Sequence, residues 1–212
     1  MEKNIDIAAL GELLIDFTEA GTGADGMRLF EQNPGGAPAN LLTVASHMGY
    51  RTEFIGKVGN DSLGKMLKDK VTALGIDTTY LYHDEIVHTT LAFVHTAEDG
   101  DREFSFYRKP GADMMLRAEE VNEEAIKESK IFHFGTLSMT HEGVRAATKK
   151  AVETAKQNQI LISFDPNLRE PLWDSLDEAR KQVSYGMSMC DILKISDNEI
   201  EWYTGESDYT KA

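Results

Sequence analysis

The residues best suited to chemistry in this chain are two glycine turns at helix entries and a few short polar side chains at strand ends. In Gly35-Gly36-Ala37-Pro38-Ala39-Asn40 the paired glycines let the backbone approach a ligand closely, since no Cβ stands in the way and positive φ costs little. Pro38 suits a first helical turn, where its missing N–H would have had no partner anyway. The free N–H groups of such a helix start face whatever sits over the glycines, and Asn40 adds an amide with both donor and acceptor character. That combination suits a polyhydroxylated ligand. The plainer reading is a glycine turn that only begins a helix. A second turn, Gly56-Lys57-Val58-Gly59-Asn60-Asp61-Ser62-Leu63-Gly64, comes after the next strand pattern and favours the ligand.

Carboxylates and an arginine stand at other strand ends. Asp16 closes the apolar run 5–17, which reads as one buried strand, and open α/β sheets collect ligand-binding groups at the carboxyl ends of their strands. A carboxylate there can accept two hydroxyl hydrogen bonds; an N-cap or loop role is the alternative. Asp165-Pro166-Asn167-Leu168-Arg169 comes after the apolar strand 160–164, and the planar fork of Arg169 suits a phosphate or carboxylate unless it pairs with Glu170 or Asp174. Lys194-Ile195-Ser196-Asp197-Asn198-Glu199-Ile200-Glu201 repeats the layout of strand, polar turn and helix start. Its acidic groups could steer a hydrated Mg²⁺ toward phosphates, although acidic residues are also ordinary in a first helical turn. Tyr107 and Arg108 end a strand pattern and could close over a ligand, with packing as the plainer role of the aromatics around them.

Other residues can be set aside. Gly21-Thr22-Gly23-Ala24-Asp25-Gly26 fits G-x-G-x-x-G by letters, but Met27 to Asn33, immediately after it, reads as strand, whereas the dinucleotide fingerprint must open a helix. The histidines show no metal-ligand spacing with one another or with Cys190, and His133 reads as a satisfied core residue.

The elements that must position these groups alternate. After the run 5–17 come an exposed strand at 27–31, a helix from Ala39 to Gly49, a strand at 52–58, and a helix capped by Asp61-Ser62 whose Leu63, Met66, Leu67, Val71 and Leu74 share one face. From His88 the period drops to two, giving a hairpin with a turn at Glu98-Asp99-Gly100-Asp101 and one wet face. With the 27–31 strand it can form a small separate sheet. Strands at 131–135, 160–165 and 192–196 then alternate with helices at 142–157, 176–187 and 199–204, as in a parallel sheet with helices on its faces.

The 212 residues, 41% hydrophobic and 27% charged, suit one sizeable core. No apolar run approaches the length a bilayer demands, and the start lacks the regions of a signal peptide. Cys190 is the single cysteine, so a reducing cytoplasm is expected. A net charge of −14 disfavours nucleic acid and anionic membranes as partners.

Taken in order, G-G-A-P-A-N, G-K-V-G-N-D-S-L-G, F-Y-R-K-P-G-A-D, D-P-N-L-R and K-I-S-D-N-E-I-E-W-Y-T-G resemble the ribokinase/PfkB carbohydrate kinases across essentially the whole chain. Within that family, G-E-L-L-I-D-F, T-T-L-A-F-V and I-F-H-F-G-T-L-S are most similar to fructokinases. The resemblance implies a ribokinase-like three-layer α/β/α sandwich with a mostly parallel central sheet. A small β-sheet lid at about 27–33 and 88–108 would cover the sugar and could pair in a homodimer. It implies transfer of the ATP γ-phosphate to a fructose hydroxyl with Mg²⁺. Sugar contacts would fall on Asp16, Gly35, Gly36, Asn40, Tyr107, Arg108 and Arg169, with Asn167, Ser196 and Glu199 near the nucleotide and Glu199 acting on the metal through water. Fixed by Lys194 and Thr204-Gly205, the family's N-x-x-E register puts Ser196 where an Asn is usual. The family's G-A-G-D motif, with its catalytic Asp and its N–H groups for the developing phosphate charge, is not found within residues 1–212; Gly111-Ala112-Asp113 belongs to the lid region. No catalytic base is therefore expected in this stretch, which alone should be inactive. Two alternatives stay open: a kinase of an acidic sugar such as 2-keto-3-deoxygluconate, held by Arg108 and Arg169, and a non-catalytic sugar-binding or assembly protein of kinase fold.

Overall fold

The apolar run at 5–17 forms two strands, in two different sheets. In the computed structural model, which describes residues 3–96, 102–208 and 211, β1 (Ile5–Leu10) belongs to a large sheet and β2 (Leu14–Thr22) to a small one. Residues 11–13 make the crossing. Every residue from Ala8 to Ile15 is buried, so no polar break marks the change of sheet. Asp16 is thus the third residue of β2 and does not end a strand of the large sheet, contrary to its expected place.

β3 (Arg28–Gly35) runs antiparallel to β2 and leads into α1 (Ala37–His47). β4 (Thr52–Gly59) is buried along its whole length and leads to α2 (Ser62–Ala73), capped by the Asp61 carboxylate, which accepts from Gly64 N at 2.8 Å. Short strands β5 (Ile76–Asp77) and β6 (Leu81–Asp84) precede β7 (Leu91–Thr96) and β8 (Arg102–Tyr107). The expected turn at Glu98-Asp99-Gly100-Asp101 lies outside the described residues. Then come α3 (Glu123–Lys127), β9 (Ser129–Gly135), α4 (Glu142–Gln157), β10 (Leu161–Asp165), α5 (Leu176–Met189), β11 (Ile192–Leu193) and α6 (Asp197–Thr204).

Among the described residues the large sheet has the order β11-β10-β9-β1-β4-β5, with β6 also pairing β4, and all of its pairings are parallel. Parallel neighbours need crossovers, which the helices supply. The layers can be read from β1. Ala8 and Leu10 join the core that includes Val144, Ala147 and Ala151 of α4, while Ala9 joins the one that includes Leu42 of α1 and Leu67 and Val71 of α2. Helices therefore cover both faces, a three-layer α/β/α arrangement.

The small sheet has the order β3-β2-β7-β8 and is mixed, because β2 and β7 pair in parallel between two antiparallel neighbours. Alternation gives it two unlike faces. Asp16, Asn33, Val94, Phe104 and Phe106 line a cavity on one; the other carries the stacked rings of Phe17 and Phe93, 5.0 Å apart, with Tyr107 edge-on to Phe93 at 5.5 Å.

Candidate functional site

A cavity of about 370 Å³ lies between the small sheet, the start of α1 and the loop after β10. Asp16, Gly36, Asn40, Asn167 and Arg169 all line it, so residues drawn from three separate motifs converge on one space. Gly35 is buried beside them, where a Cβ would strike the Asp16 carboxylate.

The segment from Gly11 to Asp16 interlocks with the glycine turn. Gly11 lies under the Pro38 ring, the Glu12 carbonyl occupies the space where a Gly36 Cβ would stand, and Asp16 does the same at Gly35. Gly36 also has φ 116°, a conformation that side chains with a Cβ rarely adopt. As the residue capping α1 it offers no side chain to the helix N–H groups. That role falls to Glu12, whose Oε1 accepts from Ala37 N at 2.9 Å. Glu12 is 2% exposed and lines the cavity. Burial pushes its carboxyl up to about 7, with its own N–H and that of Ala37 opposing the shift. Glu12 falls within G-E-L-L-I-D-F but is not among the site residues expected from the sequence. Its signal is an acid in the middle of the apolar run, between Asp6 and Asp16 near its ends, which in a buried stretch demands a partner.

Burial also raises the Asp16 carboxyl above its ordinary range, and the Arg169 charge partly offsets this. Arg169 makes no ion pair with Glu170 or Asp174 among the described residues. It lies over the Phe104 ring at 5.4 Å, and its Nη1 donates to the Leu168 carbonyl at 2.9 Å. Asn167 has φ 42° and its N–H donates to Asp165 Oδ1 at 3.1 Å, while Lys194 pairs with Asp165 at 3.1 Å. Burial raises the Asp165 carboxyl, against the pull of Lys194.

Ser196 and Glu199 stand outside the cavity lining. They form a capping box on α6: Glu199 Oε2 accepts from Ser196 N at 2.9 Å and from Ser196 Oγ at 2.8 Å. The other oxygen, Oε1, accepts from Leu168 N at 2.7 Å and so pins the loop that carries Asn167 and Arg169. Both carboxylate oxygens of Glu199 are thus engaged by protein. Among the described residues no group of three or more His, Cys, Asp or Glu side chains is arranged to hold a metal ion.

Tyr107 and Arg108 do not reach the cavity. β8 turns Phe104 and Phe106 inward, and its alternation therefore sends Tyr107, 66% exposed, to the opposite face. Arg108 is 3% exposed and pairs with Asp113 at 2.6 Å, donating as well to Thr140 Oγ1 at 2.8 Å and to the Leu137 carbonyl at 2.9 Å. Asp113 is consumed by the same pair. His133 is the satisfied core residue expected: it bonds Ser163 Oγ at 3.0 Å, and burial pushes its imidazole down to about 4. The glycine motif at 21–26 leads into β3 and not into a helix.

Comparison with known proteins agrees with this architecture. A family model described as "pfkB family carbohydrate kinase" matches residues 4–212. The chain is 46% identical over 201 residues to a probable fructokinase-2 of Arabidopsis thaliana, covering 94% of this chain and 61% of that protein. It is similar to a fructokinase from Xylella fastidiosa solved with bound ATP, at TM-score 0.88 and 31% identity over 100% of this chain and 64% of the other. A Vibrio cholerae fructokinase double mutant, solved with fructose, ADP and a potassium ion, gives TM-score 0.88 and 27% identity over 99% and 66% of the two chains. The chain spans about six-tenths of the length of the curated relatives it matches. With the ribokinase-like layers, the small sheet and the family motifs all present, the chain belongs to the pfkB family of carbohydrate kinases.

Proposed function

We propose that this chain supplies the sugar-binding part of a fructokinase, a kinase that transfers the γ-phosphate of ATP to a hydroxyl of fructose. The observation that carries the proposal is the convergence of Asp16, Asn40 and Arg169 on one cavity roofed by the small sheet. Its polar groups are a carboxylate, amides and one guanidinium, the donor and acceptor mixture that a neutral polyol needs. Arg108 is spent on Asp113, so the arginine pair that would hold an acidic sugar is reduced to Arg169, which already faces Asp16. A neutral ketose fits this balance better than a keto-deoxy acid.

Fructose hydroxyls would be held by Asp16 and Asn40 under the lid, and the cavity would orient the attacking oxygen. ATP would approach from the side of Asn167 and of the α6 start at Ser196 and Glu199. Glu199 would act on Mg²⁺ through water, while its carboxylate oxygens hold Leu168 N and Ser196 N. Pairing of two lids through the face that exposes Tyr107 is proposed for a homodimer, and the single cysteine suits a cytoplasmic setting. No helix among the described residues is long and apolar enough to cross a membrane.

The test is a phosphorylation assay of the protein expressed from its full reading frame, across fructose, ribose and keto-deoxy acids, joined to calorimetry of fructose binding. Fructose should be preferred, and Asp16→Ala should weaken its binding by about a hundredfold, the loss of two charge-assisted hydrogen bonds. Preference for an acid, or unchanged binding in Asp16→Ala, would overturn the proposal.

A further inference from the structure

We propose that Glu12 is a positioning residue of the sugar site, its carboxyl holding the glycine turn against the segment that carries Asp16 and so setting sugar affinity. This rests on the sugar-kinase reading above.

Glu12 sits where the chain leaves the large sheet for the small one. The crossing opens into β2, which carries Asp16, while Asn40 rides on α1, which β3 leads into, and both line the cavity. Glu12 fastens the crossing to the start of α1 twice. The Glu12 carbonyl packs against the Gly36 α-carbon, and the Glu12 side chain accepts the N–H of Ala37 at 2.9 Å. That N–H belongs to the first residue of α1, which has no side-chain cap of its own, and a negative group there also interacts favourably with the helix dipole. A carboxyl 2% exposed on a cavity wall is costly to keep unless it performs such a task. It does not replace Asp16, because its near oxygen is already committed to backbone.

Several charges face Glu12. Asp113 opposes its ionisation and Arg108 favours it, while Asp16 and Arg169 line the same cavity. Ionised, the carboxylate is the stronger acceptor for Ala37 N–H. Sugar affinity should therefore rise as Glu12 loses its proton near neutral pH.

The experiment compares Glu12→Ala and Glu12→Gln in the protein from its full reading frame. Fructose affinity is followed by calorimetry from pH 6 to 8.5, a range of about one unit or more on each side of neutrality, and the kinase constants are measured for sugar and ATP separately. Glu12→Ala should raise the fructose Kd and KM by about tenfold with the ATP KM near that of the parent, the loss of one buried acceptor. Glu12→Gln keeps an acceptor, and should restore most of the affinity while flattening its pH dependence. A folded Glu12→Ala with parental fructose affinity overturns the proposal, as does an equal loss for sugar and ATP. If Glu12→Ala does not fold, Glu12→Gln decides: an unaltered pH profile overturns the proposal and a flattened one supports it. A parent protein that binds no fructose overturns the sugar-kinase reading itself, and the role of Glu12 with it.

Discussion

Arg108 and Asp113 form an ion pair of 2.6 Å in which the two side chains are only 1% and 2% exposed. The remaining donors of the guanidinium reach Thr140 Oγ1 and the Leu137 carbonyl, so the end of β8 is fastened to the segment before α4. A group held in this way serves the scaffold. Releasing it toward a ligand would leave the Asp113 charge buried without its partner.

Breaking that pair should therefore be read in stability. Asp113→Ala is expected to lower unfolding free energy by about 3–5 kcal/mol, because it strands a buried guanidinium. Urea denaturation checks this, and a loss below about 1 kcal/mol would show that the pair is not buried in solution.

Glu53 offers the opposite case. It is 5% exposed, its Oε1 has no hydrogen-bond partner, and burial, with Asp77 and Glu128 adding repulsion, pushes its carboxyl up to about 7. The folded state then binds a proton more tightly than the unfolded chain, whose carboxyl titrates near the ordinary value of about 4.3. Stability attributable to Glu53 is consequently greatest below that value and is lost as pH rises toward 7. Glu53→Gln should equal the parent near pH 5 and exceed it at pH 8. Denaturation curves at the two pH values test the sign, and a variant less stable at pH 8 would refute it.

The two glycines of the turn should fail differently. A Cβ at Gly36 meets backbone, the Glu12 carbonyl, at a φ that alanine disfavours, so Gly36→Ala should lose folding stability by about 1–3 kcal/mol. At Gly35 the Cβ meets the Asp16 carboxylate, a side chain able to swing aside. Gly35→Ala should keep more of its stability and lose more of its fructose binding. Thermal melts set beside calorimetry separate the two, and equal ranking in both would count against the geometry.

Much of the scaffold was legible because its signals are local. Asp61 caps α2 as its place before an amphipathic run suggests, and α4 spans Glu142–Gln157, the limits set by its periodicity. The division at residues 11–13 was not legible, since burial on both sides of the crossing leaves no alternation to interrupt. In the site, the motifs that carry Asp16, Gly36, Asn40 and Arg169 meet at one cavity, which Asn167, expected on the nucleotide side, also lines; Asp16 reaches it from within β2 and Asn40 from the first turn of α1. Tyr107 and Arg108 do not join them: a strand's alternation sends neighbours to opposite faces, and Arg108 finds its partner five residues on, across a tight turn. The Ser196 and Glu199 pair could have been read as a capping box from its S-x-x-E spacing alone.

Asp16 belongs to the four-stranded sheet, whereas Asn40 sits on α1 and Arg169 in the loop that follows β10 of the seven-stranded one. The carboxylate is therefore mounted on the cover and not on the vessel. Any displacement of the cover would carry the Asp16 carboxylate away from Asn40 and Arg169 together with the roof, so that opening the cavity and dispersing its polar groups become the same mechanical event.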